Sequence, residues 1–293
     1  MGMDPASVII TGHYCHDTLY LANGTASAGL GGSASYISSV LKALGLGFHV
    51  VSKVGPDFLY STQVSIPPFV IQGASTTHFI ADFTQGERIA RADAFCDPIY
   101  PKDLPEALRF EIALAVGIVG EVLPETLDTL AQCSRYVLCD MQGLIRVFDS
   151  QGHVGLQRLE ETPFYSRLEK IAFLKASRQE AEFMDIEAVR QKTCVLITEG
   201  DQGCTVYTRL SQFRVPAFSV LELDPTGAGD CFLAGFTAGL LRGLPLEKAV
   251  LLGNYFGSLA VGQVGVPKIS LAEAHQGFER VEKESFHERL FVD

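Results

Sequence analysis

The sequence predicts an α/β fold: a doubly wound sheet covered by helices, with a small β lid. Three observations carry this expectation. From about residue 111, apolar strand-like runs alternate with helical patterns, as in βαβ units. Runs such as Val195-Leu-Ile197 are continuously apolar, which suits parallel strands buried on both faces. Of 293 residues, 47% are hydrophobic and 19% charged, enough to form a sizeable core and to argue against disorder.

Val8-Ile-Ile10 is a first strand ended by Gly12. Residues 13–30 form a Gly/Ala/Ser-rich excursion. From Gly32 to Leu44, the residues Ile37, Val40, Leu41 and Leu44 recur at helical spacing, closed by Gly45. Phe48-His-Val-Val51 reads as a strand. Residues 69–95 intersperse Thr, Phe, Ile and Ala with polar residues, predicting a β-hairpin excursion that turns at Gln85-Gly86. Strands are then expected at 112–118, 135–140, 170–174, 194–198 and 204–207. Helices are expected at 123–132, 178–191, 229–242, 246–263 and 271–282. No repeat, low-complexity tract or linker divides the chain, so residues 1–293 are expected to form one domain with lid segments at 13–30 and 69–95. Open α/β sheets bind ligands beyond the carboxyl ends of their strands. Asp17, Gly31-Gly32, Asp140 and Asp230 all follow strand ends in this reading and are expected to share one crevice. Phe232, Phe236, Phe256 and Leu259 are core positions.

The formal net charge of -11 argues against non-specific nucleic-acid or anionic-membrane partners, while leaving room for a local basic pocket. The cysteines Cys15, Cys96, Cys133, Cys139, Cys194, Cys204 and Cys231 contain no Cys-x-x-Cys pair and sit mostly in apolar runs, as reduced cytoplasmic thiols do. Met1-Gly-Met-Asp-Pro5 has no basic stretch before an apolar run, so no secretory signal is expected. Ala6 stands where a myristoylation signal needs Ser or Thr. No apolar run approaches the ~20 residues of a membrane span.

The chemistry is concentrated in Leu223-Asp-Pro-Thr-Gly-Ala-Gly-Asp-Cys-Phe232. A glycine-rich turn, Gly227-Ala228-Gly229, opens an apolar helix, and the first N–H groups of a helix lack partners within it. Such an end favours an anion, usually phosphate. Asp230 would repel a resting anion, so its presence there suits a base that takes a proton beside developing charge. The segment reads as an anion hole with a built-in base, which is what phosphoryl transfer to an alcohol needs. Two other patterns carry less. His13-Tyr-Cys15-His16-Asp17 contains zinc-type ligands, but adjacent strand residues point to opposite sides and no second ligand pair lies at a fitting distance. Gly29-Leu-Gly31-Gly-Ser-Ala34 has dinucleotide-fingerprint spacing but does not follow the first strand directly. A P-loop is absent, so an ATP site would be of another type.

The string Asp224-x-Thr-Gly-Ala-Gly-Asp230 resembles the signature of the ribokinase-like (PfkB) carbohydrate kinases. Further motifs resemble that family in order: Gly31-Gly32-Ser-Ala-Ser-Tyr36, Val54-Gly55-Pro-Asp57, Asp140-Met-Gln-Gly-Leu-Ile-Arg146, Thr198-Glu-Gly200-Asp-Gln-Gly203 and Leu252-Gly-Asn254-Tyr-Phe-Gly257. Together they cover roughly residues 7–270. Two positions depart from the pattern. Tyr36 stands where the family often has Asn, and Ser177-Arg-Gln-Glu180 replaces its Asn-x-x-Glu. Within the family, Tyr14-Cys-His-Asp17, Val51-Ser-Lys-Val-Gly55, Cys96-Asp-Pro-Ile99, Gly120-Glu-Val-Leu-Pro-Glu-Thr126, Arg146-Val-Phe-Asp149 and Phe173-Leu-Lys-Ala-Ser177 are similar to plant myo-inositol kinases.

The resemblance implies ATP-dependent phosphorylation of myo-inositol to myo-inositol 3-phosphate; the alternative within the family is a kinase of another sugar, polyol or nucleoside. Asp230 would be the base, and Gly227, Ala228 and Gly229 the anion hole. Asp17, Gly31, Gly32, Lys53 and Gln142 would contact the acceptor. Ser177, Glu180, Thr198, Gly200, Gly203, Thr226, Asn254 and Gly257 would serve the nucleotide. Glu180 would hold Mg²⁺ through water, and Asp224 would sit at a monovalent cation such as K⁺. A homodimer through the lid is also implied. A non-catalytic sugar or nucleotide sensor is the competing expectation from another class.

Overall fold

The computed structural model describes residues 7–20, 23–82, 84 and 89–284. Strand β1 (Val8–Thr11) leads into a hairpin of β2 (Cys15–Tyr20) and β3 (Ala26–Gly31), then helix α1 (Ser33–Ala43) and strand β4 (Phe48–Val51). A short pair, β5 (Lys53–Val54) with β6 (Phe69–Val70), precedes a second hairpin of β7 (His78–Asp82) and β8 (Ile89–Ala94). Next come β9 (Phe110–Ala115), α2 (Pro124–Cys133), β10 (Ser134–Asp140), α3 (Gln142–Ile145) and the hairpin β11 (Arg146–Phe148) and β12 (Val154–Leu156). The chain continues through β13 (Phe173–Ser177), α4 (Arg178–Ala181), α5 (Ile186–Val189), β14 (Cys194–Thr198), β15 (Cys204–Tyr207) and β16 (Gln212–Val215). It closes with α6 (Ala228–Leu241), α7 (Leu246–Val261) and α8 (Leu271–Lys283).

Eight strands form the central sheet in the order β16-β15-β14-β13-β10-β9-β1-β4. The run from β14 to β4 is parallel, and β15 and β16 add an antiparallel edge. Successive strand residues point to opposite faces, and both faces are covered. Val8, Ile10, Leu114 and Leu196 pack into one core with α1, α6 and α7. Ile9, Ala113, Val195 and Ile197 pack into the other, with residues of α2. Helix α6 is almost wholly buried because α7 approaches it without intervening side chains. A Cβ on Gly235 would lie 2.7 Å from the Leu252 carbonyl oxygen, and one on Gly239 would lie 2.7 Å from the Ala249 Cα. Phe232, Phe236 and Phe256 are core as expected; Leu259 is partly buried against the same core.

The two hairpins predicted as lid segments do combine into one four-stranded sheet, β3-β2-β7-β8, joined by parallel pairing of β2 with β7. The Gln85-Gly86 turn lies outside the described residues. Three sequence expectations shift. The strand expected at 170–174 begins at Phe173, because Tyr165–Lys170 winds into a 3₁₀ turn. The helix expected at 178–191 splits into α4 and α5, the second started by the Asp185 side chain accepting the Ala188 N–H. Asp17 lies inside strand β2 of the lid, not beyond a strand end. No helix among the described residues is long and apolar enough to cross a membrane.

Candidate active site

The glycine-rich turn is held from three sides. Gly227 is left-handed (φ +76°) and caps α6; a Cβ there would fall 2.0 Å from the Tyr36 ring. Two constraints therefore demand glycine: the backbone conformation and the aromatic ring that α1 lays on the turn. Gly229 is equally confined, since a Cβ would lie 2.4 Å from the Lys175 Nζ. Asp224, 1% exposed, accepts the Thr226 N–H at 2.9 Å with one carboxyl oxygen and the Gly265 N–H at 3.1 Å with the other. It thus clamps the turn to the loop after α7. Of the three N–H groups expected to form an anion hole, that of Ala228 turns back to the Pro225 carbonyl at 3.3 Å.

Asp230 follows in the first turn of α6. Burial pushes its carboxyl up to about 7; the Asp140 charge adds to this and Lys175 opposes it. Its Oδ1 and the Thr226 Oγ1 are buried and find no hydrogen-bond partner among the described residues. Both residues line the crevice, so each has a polar oxygen suited to a ligand. Beside them, Lys175 Nζ meets Asp140 Oδ2 at 2.9 Å, with both side chains buried. Burial works against the ammonium, but Asp140, Glu180 and Asp230 hold it above the ordinary lysine range.

Ser177 and Glu180 form a capping box at the start of α4. Glu180 Oε2 accepts the Ser177 N–H at 2.7 Å, and Ser177 Oγ accepts the Glu180 N–H at 3.2 Å. Serine thus replaces asparagine where an N-cap is required. Burial disfavours a charged Glu180, but Lys175 and the Ser177 N–H hold it below the usual range.

A cavity of about 340 Å³ opens in front of Asp230. Asp17 reaches into it from the lid, Gly32 and Tyr36 from α1, and Gln142 from α3. Phe79, Ala90, Ile118, Val154 and Leu156 supply apolar walls. Gly31 acts indirectly: a Cβ there would lie 1.8 Å from the Asp17 carboxyl carbon, so glycine leaves the room that the carboxyl occupies. Gly32 (φ +85°) lets α1 start against the His13 carbonyl, 2.2 Å from where a Cβ would stand. Gln142 Nε2 donates to Ser33 Oγ at 3.2 Å. Lys53 is not part of the crevice. Its buried ammonium donates to the Pro98 carbonyl at 2.7 Å and pairs with Asp103 at 2.6 Å, which pins the segment after the lid. Asp17→Ala is expected to raise the acceptor KM by tenfold or more, since a charged hydrogen bond contributes ~1.5–3 kcal/mol. An unchanged KM would take Asp17 out of the site.

A second cavity, of about 540 Å³, lies on the other side of the turn. Thr198, Gly200, Gly203, Asn254 and Gly257, all expected to serve the nucleotide, line it together with Ala228 of the turn; Ser177, Glu180 and Thr226, expected to serve the nucleotide as well, line the first cavity instead. Asn254 also serves the scaffold, its Nδ2 donating to the carbonyls of Val215 (3.1 Å) and Pro216 (2.9 Å). The two cavities share Thr198 and Gly229.

Residues 154–271 match the pfkB family of carbohydrate kinases. An inositol 3-kinase of Oryza sativa subsp. japonica is 45% identical over 282 residues, covering 91% of this chain and 71% of that protein. The chain belongs to the pfkB carbohydrate kinase family. It is a kinase. An inositol 3-kinase of Arabidopsis thaliana is 41% identical, covering 97% of this chain and 86% of its own length. The fold is that of ribokinase relatives. A pyrophosphate-dependent kinase of the ribokinase family, solved with a pyrophosphate analogue and myo-inositol, superposes with a TM-score of 0.77 at 19% identity, over 93% of this chain and 99% of that one.

Lys175 and Arg146 also line the crevice, and neither is expected there from the sequence. Lys175 sits in Phe173-Leu-Lys-Ala-Ser177, and a cation inside a buried strand needs a counter-charge. That isolated lysine was the available signal. Arg146 lines the crevice, and its guanidinium lies 5.4 Å over the Phe79 ring of the lid.

Proposed function

We propose that this kinase transfers the γ-phosphoryl group of ATP to a hydroxyl of myo-inositol, giving the 3-phosphate. The observation that carries the chemistry is Asp230: a buried carboxyl at about 7, beside the N–H groups of Gly227 and Gly229. A base poised near neutrality accepts the hydroxyl proton efficiently, while the glycine N–H groups meet the charge on the transferring oxygens. Lys175 and Arg146 add positive charge at the same point. Asp17, Gln142 and Ser33 offer the polar contacts that a ring of hydroxyls requires, and the apolar walls match its C–H faces. The inositol assignment is supported by the plant inositol 3-kinases that match most of this chain.

The second cavity supports a nucleoside triphosphate as donor. Pyrophosphate alone would leave about 540 Å³ beyond Gly229 without a role. The residues also fit Mg²⁺. Glu180 lines the first cavity near the Thr198 and Gly229 border, and one of its oxygens already holds Ser177, which suits an outer-shell contact through water. When bound, Mg²⁺ would neutralise phosphate charge.

The test is an ADP-release screen over myo-inositol, its isomers, ribose, fructose and nucleosides, with the product position read by NMR. Turnover is expected with myo-inositol and ATP, and none with pyrophosphate as donor. Turnover with ribose or a nucleoside but not inositol would replace the substrate. Ligand binding without ADP would favour the sensor.

A further inference from the structure

Glu121 touches neither cavity, yet it is 2% exposed and saturated with backbone contacts. Its Oε1 accepts the His13 N–H at 3.2 Å. Its Oε2 accepts the N–H groups of Ile118 and Val119, each at 2.8 Å. Its own carbonyl accepts the Ile99 N–H at 2.8 Å. One residue thus joins three passes of chain: the exit to the lid after β1, the return from the lid, and the turn after β9.

The Val119 N–H and the Ile118 carbonyl belong to one peptide unit. In a planar trans peptide these two groups point in opposite directions. Gripping the N–H on one side therefore aims the carbonyl on the other. That carbonyl accepts Arg146 Nη1 at 3.1 Å, and both Ile118 and Arg146 line the acceptor crevice. The charge of Arg146 acts on both Asp230 and Glu180, so the guanidinium lies within electrostatic reach of the proposed base. Space around the turn is tight as well: a Cβ on Gly117 would lie 3.2 Å from Glu121 Oε2, and one on Gly143 would lie 2.7 Å from the Gly117 carbonyl oxygen.

We propose that Glu121 is a positioning residue for phosphoryl transfer, acting through the Ile118–Val119 peptide to aim Arg146 into the acceptor crevice. This rests on the kinase reading above. Methionine at this position offers no acceptor to the Ile118 and Val119 N–H groups, so the peptide is released, whereas the amide oxygen of glutamine would keep both of those bonds and give up only that of His13.

The test is a double-mutant cycle of Glu121→Met with Arg146→Gln. It is read on kcat/KM for myo-inositol and separately on myo-inositol Kd by calorimetry, with the melting temperature alongside. A misplacement of ~1 Å can cost about 10²-fold, so Glu121→Met alone should lower kcat/KM by about tenfold or more. In the Arg146→Gln background it should change kcat/KM by less than about twofold. Equal losses in both backgrounds, or wild-type kcat/KM in Glu121→Met, would overturn the proposal. Glu121→Asp draws the carboxyl back by one methylene and enters the same cycle if the Met variant does not fold. Should the wild type bind inositol without turnover, the kinase reading fails, and the cycle on Kd still decides the role of Glu121 by the same additivity criterion.

Discussion

Asp230→Asn should give a folded protein that still binds ATP but turns over about 10²–10⁴-fold more slowly, the usual contribution of a positioned base. The anion hole survives because Asn changes no backbone group at Gly227 or Gly229. The wild type should also show a limb in kcat/KM that rises through about pH 7, as Asp230 loses its proton, and flattens above. The variant should lack that limb. Stability should move the other way. The folded carboxyl sits near 7 against 3.8 for an ordinary Asp, so between those values the unfolded chain binds fewer protons than the folded one. Asp230 therefore lowers stability as pH rises from about 4 to about 7, by on the order of a few kcal/mol. Asn removes this penalty, so the variant should melt higher than the wild type at pH 8, with the gap closing by pH 5. Near-normal turnover would end the role of Asp230 as base. A lower melting temperature at pH 8 would contradict its buried charge.

Lys175→Met should be the most destabilising single change at the site. The ammonium is the buried counter-ion of Asp140, at 2.9 Å, and its charge also acts on Glu180 and Asp230. Removing one partner of a buried pair typically costs ~3–5 kcal/mol, because the charge left behind is uncompensated. Urea unfolding should register this loss. In whatever fraction folds, turnover should fall and the pH limb should move upward, since Lys175 is the largest of the influences that pull Asp230 down. Adding Asp140→Asn should recover much of the lost stability. A cost within about 1 kcal/mol of wild type would show that the pair does not hold these strands together.

The parts of the fold legible in the sequence were those with one strong local pattern. Strands β14 and β15 and helices α6, α7 and α8 follow directly from apolar periodicity and end within two residues of their expected limits. The segment 142–170 was not legible, because a four-residue helix, a hairpin and 3₁₀ turns carry too few residues to establish a period. At the site, Asp17, Gly32, Gln142 and Asp230 were named from motifs and line one cavity. Lys53 was misplaced because a lysine in a resembling motif carries no sign of which carboxyl it will meet, and Asp103 lies fifty residues on. Lys175 and Arg146 became visible only when the sheet set β13 beside β10 and the lid brought Phe79 across the crevice. Glu121 stands within the motif Gly120–Thr126, but its role depends on backbone N–H directions that no residue pattern encodes.

The common border of the two cavities at Thr198 and Gly229 has a practical consequence for ligand design. Lys175 closes on this border: a Cβ on Gly229 would lie 2.4 Å from its Nζ, so the border is made of bare backbone beside an ammonium. A bisubstrate inhibitor for this enzyme should therefore join its polyol and nucleoside ends by a slender, unbranched anionic tether. Substituents belong at the two ends, in the cavities of about 340 and 540 Å³.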